Sequence, residues 1–263
     1  MYPIRLLWTF LRISILSQLA YRGEFFIRLV FSLLNFVTSI LSLVVLFQQV
    51  QHIHGWTLSS MLALLGVYLI LSALRNLVFG PSFDALAGLD GEIWTGRFDF
   101  TLLRPVSVQF MASFRNWSIY ALFDLILGIM VLGVAMKQLH QVLSPWQVAT
   151  FLLALIVSVG ALYAVLLLFT TLIFWSPGFL FTWLFDALFQ MARYPVDIYP
   201  FWIRLLLTWL IPVGIMTTIP AQALIGSISP LLLLAVMLAV ILLILLASTL
   251  FRLGSQRYSS ASS

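Results

Sequence analysis

Residues 80–115, GPSFDALAGLDGEIWTGRFDFTLLRPVSVQFMASFR, hold four of the eight acidic residues in the chain and separate two long apolar blocks. Both blocks read as membrane-spanning helices. A polar stretch between them is therefore a compact loop on one face of a bilayer, large enough to touch a soluble partner.

Composition supports that reading. The 263 residues are 63% hydrophobic and 8% charged, whereas soluble domains carry roughly a quarter charged residues. No water-soluble surface can be built from this inventory, so the fold class is all-α and polytopic, with six transmembrane helices expected. The net charge of +5 comes from arginines that flank apolar blocks, as cytoplasmic flanks of spans do. No basic, aromatic-interleaved patch lies outside the spans, so nucleic acid is not a partner. The absence of cysteine excludes disulfides, thiolate metal sites and cysteine nucleophiles.

Outward from the loop, residues 58–79 and 117–136 form the second and third spans. Toward the N-terminus, residues 29–47 give a first span of about 19 residues, enough for a hydrocarbon core of about 30 Å. Residues 1–28 are apolar but broken by Arg5, Arg12, Arg22 and Arg28, which is unlike a cleavable signal. Arg5, Thr9 and Arg12 share one helical face, as in a helix lying in the headgroup plane. Toward the C-terminus come a fourth span (146–173), turn chemistry at Trp175-Ser176-Pro177-Gly178, and a fifth span (179–192) that is short for a full crossing. Pro195, Pro200, Pro212 and Pro220 then interrupt residues 193–229, which read as short helices in a re-entrant outer hairpin. A sixth span (231–251) and a polar tail follow. The organisation is a single transmembrane domain over 1–263: interfacial helix 1–28, spans in 29–79, loop 80–115, spans in 116–192, hairpin 193–229, last span 230–251, tail 252–263. With the N-terminus inside, ten of the thirteen basic residues fall on the inner side, so both termini and the loop are expected in the cytoplasm.

The chemistry open to such a chain is narrow. Its only lysine, Lys137, stands in VAMKQ, so no phosphate-cradling loop exists and the chain has no ATP site of its own. His52, His54 and His140 have no carboxylate or cysteine nearby in sequence and read as loop histidines, not metal ligands. Asp124 and Asp186 lie within apolar stretches. They either line a pathway or are held for packing by a hydrogen bond or by an arginine such as Arg75 or Arg193. Arg75, at the inner end of its span, is expected to snorkel toward the interface. A proton-coupled secondary carrier using Asp124 and Asp186 is the alternative function, although no internal repeat is visible.

The order of parts resembles the permease subunits of bacterial type V, ABC-2-like ATP-binding-cassette exporters. Two stretches carry the resemblance: residues 91–105, GEIWTGRFDFTLLRP, similar to the family's glycine, acid and Leu-Leu-x-Pro segment; and Arg193-Tyr194-Pro195-Val196-Asp197-Ile198-Tyr199-Pro200 with Pro212 and Pro220 behind it, similar to its outer hairpin. The resemblance implies a half-transporter in the bacterial cytoplasmic (inner) membrane, surrounded by lipid. Its implied partners are a second permease, identical or paralogous, and a separate nucleotide-binding ATPase that carries the ATP and Mg. The cargo expected from 22 Phe and 9 Trp is hydrophobic or amphiphilic. The loop is then the coupling element. A short helix over Asp90 to Leu103, bounded by Gly88, Gly91 and Pro105, is expected to present Glu92, Arg97 and Asp99 to water and to hide Ile93, Phe98 and Leu102 in a groove of the ATPase.

Overall fold

The computed structural model describes residues 2–20, 22–139, 144–178 and 181–258; His140 and residues 259–263 of the tail lie outside them. The described residues form helices and turns, with one isolated bridge between Ile53 and Trp56. Helix α1 (Tyr2–Ala20) leads into α2 (Arg22–Gln49). Helix α3 (Leu58–Leu74) continues through a π turn, Arg75–Phe79, into the short α4 (Gly80–Asp84). The loop contributes α5 (Asp99–Leu102) and α6 (Val108–Phe114), and α7 (Ala121–Gln138) and α8 (Pro145–Thr171) follow. After α9 (Phe181–Phe189), α10 (Phe201–Leu205) and α11 (Val213–Ile225), the chain closes with α12 (Pro230–Arg257).

Five continuous helical stretches are long and apolar enough to cross a membrane: Gly23–Gln49, Leu58–Asp84, Ala121–Gln138, Pro145–Phe174 and Pro230–Arg257. Their start signals are local. Thr57 with Ser60, and Ser144 with Gln147 ahead of Pro145, form reciprocal capping boxes, while Ser229 caps α12 ahead of Pro230. These three starts lie at the end of the bundle far from the loop.

Helices α8 and α12 run parallel. Gln147 and Pro230 border one cavity near their starts, and a Cβ on Gly254 would press on Phe174 and Trp175 near their ends. The intervening chain must therefore cross back between them, and it does so in two pieces. Helix α9 with its 3-10 extension Gln190–Arg193 starts beside the loop and rises until Arg193 lies 5.3 Å over the ring of Tyr68, midway along α3. Helix α11 starts against Val196, through Gly214, and ends at Gly226 against Gln147. The expected fifth span (179–192) is thus, in its described part, the first piece of a broken crossing and not a span by itself. Between the pieces, Pro195 precedes a 3-10 turn and Pro200 starts α10; Pro212 stands at an 88° bend into α11, and Pro220 is accommodated inside α11.

Helices α3 and α7 are the most intimate pair because each offers a glycine to the other's backbone. A Cβ on Gly66 would sit 2.9 Å from the Leu132 nitrogen, and one on Gly128 would sit 2.9 Å from the Ile70 nitrogen. Small residues let helices approach closely in lipid, where packing replaces the hydrophobic effect as the driving force. Gly66→Val should therefore cost roughly 3 kcal/mol through forced separation, read as a lowered unfolding midpoint in detergent. Gly133→Val is the matched control, since nothing lies within 4 Å of its Cβ position, and it should leave the midpoint unchanged.

Candidate functional site: a charged intramembrane cavity and the loop beneath it

The polar side chains inside the bundle gather around one cavity of about 290 Å³. Helix α2 supplies Ser32, Asn35 and Ser39; α3 and its π turn supply Tyr68, Ser72, Arg75 and Asn76; α7 supplies Asp124; α9 and its extension supply Asp186, Gln190 and Arg193. Both aspartates singled out from the sequence therefore face the same space. The polar face of α2 is not among the expected site residues, although its Ser32, Asn35 and Ser39 at i, i+3 and i+7 share one helical face.

Arg75 does not snorkel. It is 9% exposed, and one terminal nitrogen donates to Asp186 at 2.7 Å and to Asp84 at 3.5 Å, while the other donates to Asn76 at 2.9 Å. The π turn that starts at Arg75 swings it inward, and Gly80 leaves room for it: a Cβ there would lie 2.7 Å from the guanidinium. π bulges recur at functional sites because they re-aim a side chain without ending the helix. Asp124 is held differently, by a hydrogen bond from Ser32, and no basic residue pairs with it among the described salt bridges. Arg193 likewise has no described carboxylate partner, and its Nε is buried without a hydrogen bond. Tyr194, its neighbour, packs half-buried at the edge of the core. Among the described residues no group of three or more His, Cys, Asp and Glu could hold a metal ion.

The loop is built otherwise than its sequence suggested. Only Asp99–Leu102 is helical between Asp90 and Leu103, because Gly88 and Gly96 take positive φ (81° and 75°) and reverse the chain. Gly91 is required for the fit, since a Cβ there would lie 2.4 Å from the Ala87 carbonyl oxygen. These turns point Ile93 and Phe98 inward. Phe98 is fully buried, 5.6 Å from the Phe174 ring and 5.2 Å from the Tyr258 ring, so it locks the loop onto the ends of α8 and α12. Neither it nor Ile93 is offered to a partner. Glu92 is not presented to water either; it pairs with Arg115, which also reaches Thr101. Asp90 and Arg97 are exposed, tied by a 2.6 Å bond from Arg97 to the Asp90 carbonyl. Asp99 lies beside Tyr258, whose hydroxyl is pushed up to about 12 by burial first and by that carboxylate second.

Beside exposed polar residues such as Asp90, Arg97 and Arg104, the loop exposes large apolar side chains. Leu89, Trp94, Phe100, Leu102 and Leu103 are all exposed, Phe100 at 68% and Leu103 at 82%. Of the residues expected to enter a partner groove, only Leu102 is among them.

A bundle of membrane-crossing helices, one broken crossing, a polar cavity within the bundle and a braced loop define a polytopic membrane transport component. A family model described as "ABC-2 family transporter protein" matches residues 33–262, and the chain belongs to that family as a permease component of an ABC transporter. No curated protein and no solved structure matches the chain.

Proposed function

We propose that this chain is one half of the membrane pathway of an ATP-driven exporter, paired with a second permease and driven by a separate ATPase subunit that supplies the ATP and Mg. The observation that carries the reading is the exposure of four large apolar side chains, Leu89, Trp94, Phe100 and Leu103, on a loop locked to the bundle. Exposed apolar clusters of this kind mark protein contacts. A rigid connection is also what force transfer needs: Phe98 joins the patch to α8 and α12, Glu92 and Arg115 hold the loop together, and Arg75 links the same end of α3 to α9. A cytoplasmic loop is supported by the excess of arginines expected on its side of the spans, and the bacterial inner membrane is what the family resemblance implies. The cargo on this reading is hydrophobic or amphiphilic.

Orientation has a direct test in a chain that lacks cysteine. A single cysteine at the exposed Leu103 should react only from the cytoplasmic side, and one at the exposed Gln51 only from outside. Labelling of Leu103→Cys by an impermeant external reagent would reverse the assignment and remove the ATPase contact from this loop. The proton-coupled alternative has both carboxylates on the cavity, but Arg75 holds Asp186 and leaves Asp124 alone to carry a proton. Its mark would be transport abolished by an uncoupler and independent of any ATPase.

A further inference from the structure

We infer that the charged cavity is the headgroup half of a binding site for a zwitterionic amphiphile, with ammonium against Asp124 and anion against Arg193. This deepens the exporter reading and rests on it for the fate of the bound molecule, but not for binding itself.

Three spaces adjoin through shared lining residues. The cavity of about 290 Å³ shares Ser32, Asn35, Asn76 and Asp124 with a second of about 820 Å³ that runs between α1, α2 and the start of α7. The second shares Gln18, Phe25 and Tyr120 with a third of about 290 Å³, lined otherwise by Ile15, Leu19, Phe26 and Ile119. Polarity therefore grades from an apolar pocket beside α1 to a charged chamber inside the bundle. Spaces of roughly 300–1,000 Å³ are the usual size of small-molecule sites.

Charge accounting selects the ligand class. At the mouth, Glu24 and Arg28 pair with each other at 2.6 Å. Inside, Arg75 is taken by Asp186 and Asp84. The charges left on the chamber without an ionic partner among the described residues are one anion, Asp124, and one cation, Arg193, whose Nε is buried and unbonded. Charged groups inside a membrane are costly unless paired. Arg193 has the Tyr68 ring and Asp124 has Ser32, but a singly charged ligand would leave one of the two without an ionic partner and an uncharged one would leave both. A molecule carrying both signs satisfies the pair, the amides of Asn35, Asn76 and Gln190 can bond its linker, and its chain can lie toward Phe25 and Phe26 in the apolar pocket.

The test uses the full chain in maltoside micelles, without the ATPase, photolabelled by a lysophosphatidylcholine bearing a diazirine in its acyl chain. Crosslinks should fall on the segments containing Ile15 to Phe26 and Ile119 to Tyr120. Unlabelled lysophosphatidylcholine should compete at about tenfold lower concentration than lysophosphatidic acid or an alkyltrimethylammonium of equal chain length, as expected for one lost charge-assisted contact. Glycerophosphocholine, which has the headgroup and no chain, should compete far more weakly. Asp124→Asn should erase the preference over the anionic analogue, Arg193→Gln the preference over the cationic one, and Asp124→Glu should retain most of it. Equal competition by all three amphiphiles would overturn the proposal even if the variants failed to fold, and so would glycerophosphocholine matching the full amphiphile. Failure here with intact ATPase association would reject the ligand class and leave the exporter reading standing; normal binding without ATPase association would do the reverse.

Discussion

Arg75→Met should be among the most damaging single substitutions in the chain. It strands Asp186, held at 2.7 Å in the native bundle, and leaves Asp84 without its only described salt bridge. Removing one partner of a buried pair costs about 3–5 kcal/mol, because the remaining charge stays behind uncompensated. Asp186 borders a cavity and keeps 38% of its side chain accessible, which places the expected loss near about 3 kcal/mol. Protein yield and the unfolding midpoint in detergent should both fall, and transport should be lost. The double variant Arg75→Met with Asp186→Leu should recover most of the stability without the transport. If Arg75→Met alone melts like the parent chain, Arg75 is a surface arginine after all and the link between α3 and α9 is absent.

Phe98 and Phe100, two positions apart, should behave oppositely. Phe98→Ala empties a fully buried site between Phe174 and Tyr258, at a cost of about 3–5 kcal/mol. The loop should detach from the ends of α8 and α12 and become open to proteolysis. Phe100→Ala combined with Leu103→Ala removes only exposed side chains, so the melting midpoint should stay within experimental error. Association with the ATPase should nonetheless fall at least about tenfold, the effect of losing apolar anchors at the centre of a contact. Normal association of the Phe100 and Leu103 variant at normal expression would take the docking role away from this patch.

The difference between these two phenylalanines shows where sequence reading stops. Both sit in RFDFTLL, and a helical wheel drawn through 90–103 buries Phe98 against a partner and leaves Phe100 unremarked. The positive φ of Gly88 and Gly96 breaks that wheel, and no periodicity can say which face a glycine-turned chain will show. The spans were legible because the length of an apolar run is a nearly sufficient signal in a bilayer. The broken crossing was half legible, since prolines announce a break but not that α9 and α11 divide one passage. Arg75 misled for a definite reason: an arginine closing an apolar run has the pattern of a snorkelling residue, and the π turn and Gly80 that turn it inward are three-dimensional facts. The cavity lay between these extremes, with its two aspartates visible as intramembrane acids and its α2 face recorded in the spacing of Ser32, Asn35 and Ser39.

ATP hydrolysis in liposomes tests the central claim most directly. The chain should be reconstituted alone and again with the nucleotide-binding subunit proposed as its partner, each with and without an amphiphilic cargo. Alone it should hydrolyse nothing above a protein-free blank, as a chain with a single lysine and no phosphate loop must. With the subunit present, hydrolysis should appear and rise on adding cargo, and the Phe100 and Leu103 double variant should abolish the rise. Hydrolysis by the chain alone, or a complex whose activity is indifferent both to cargo and to that variant, would contradict the account.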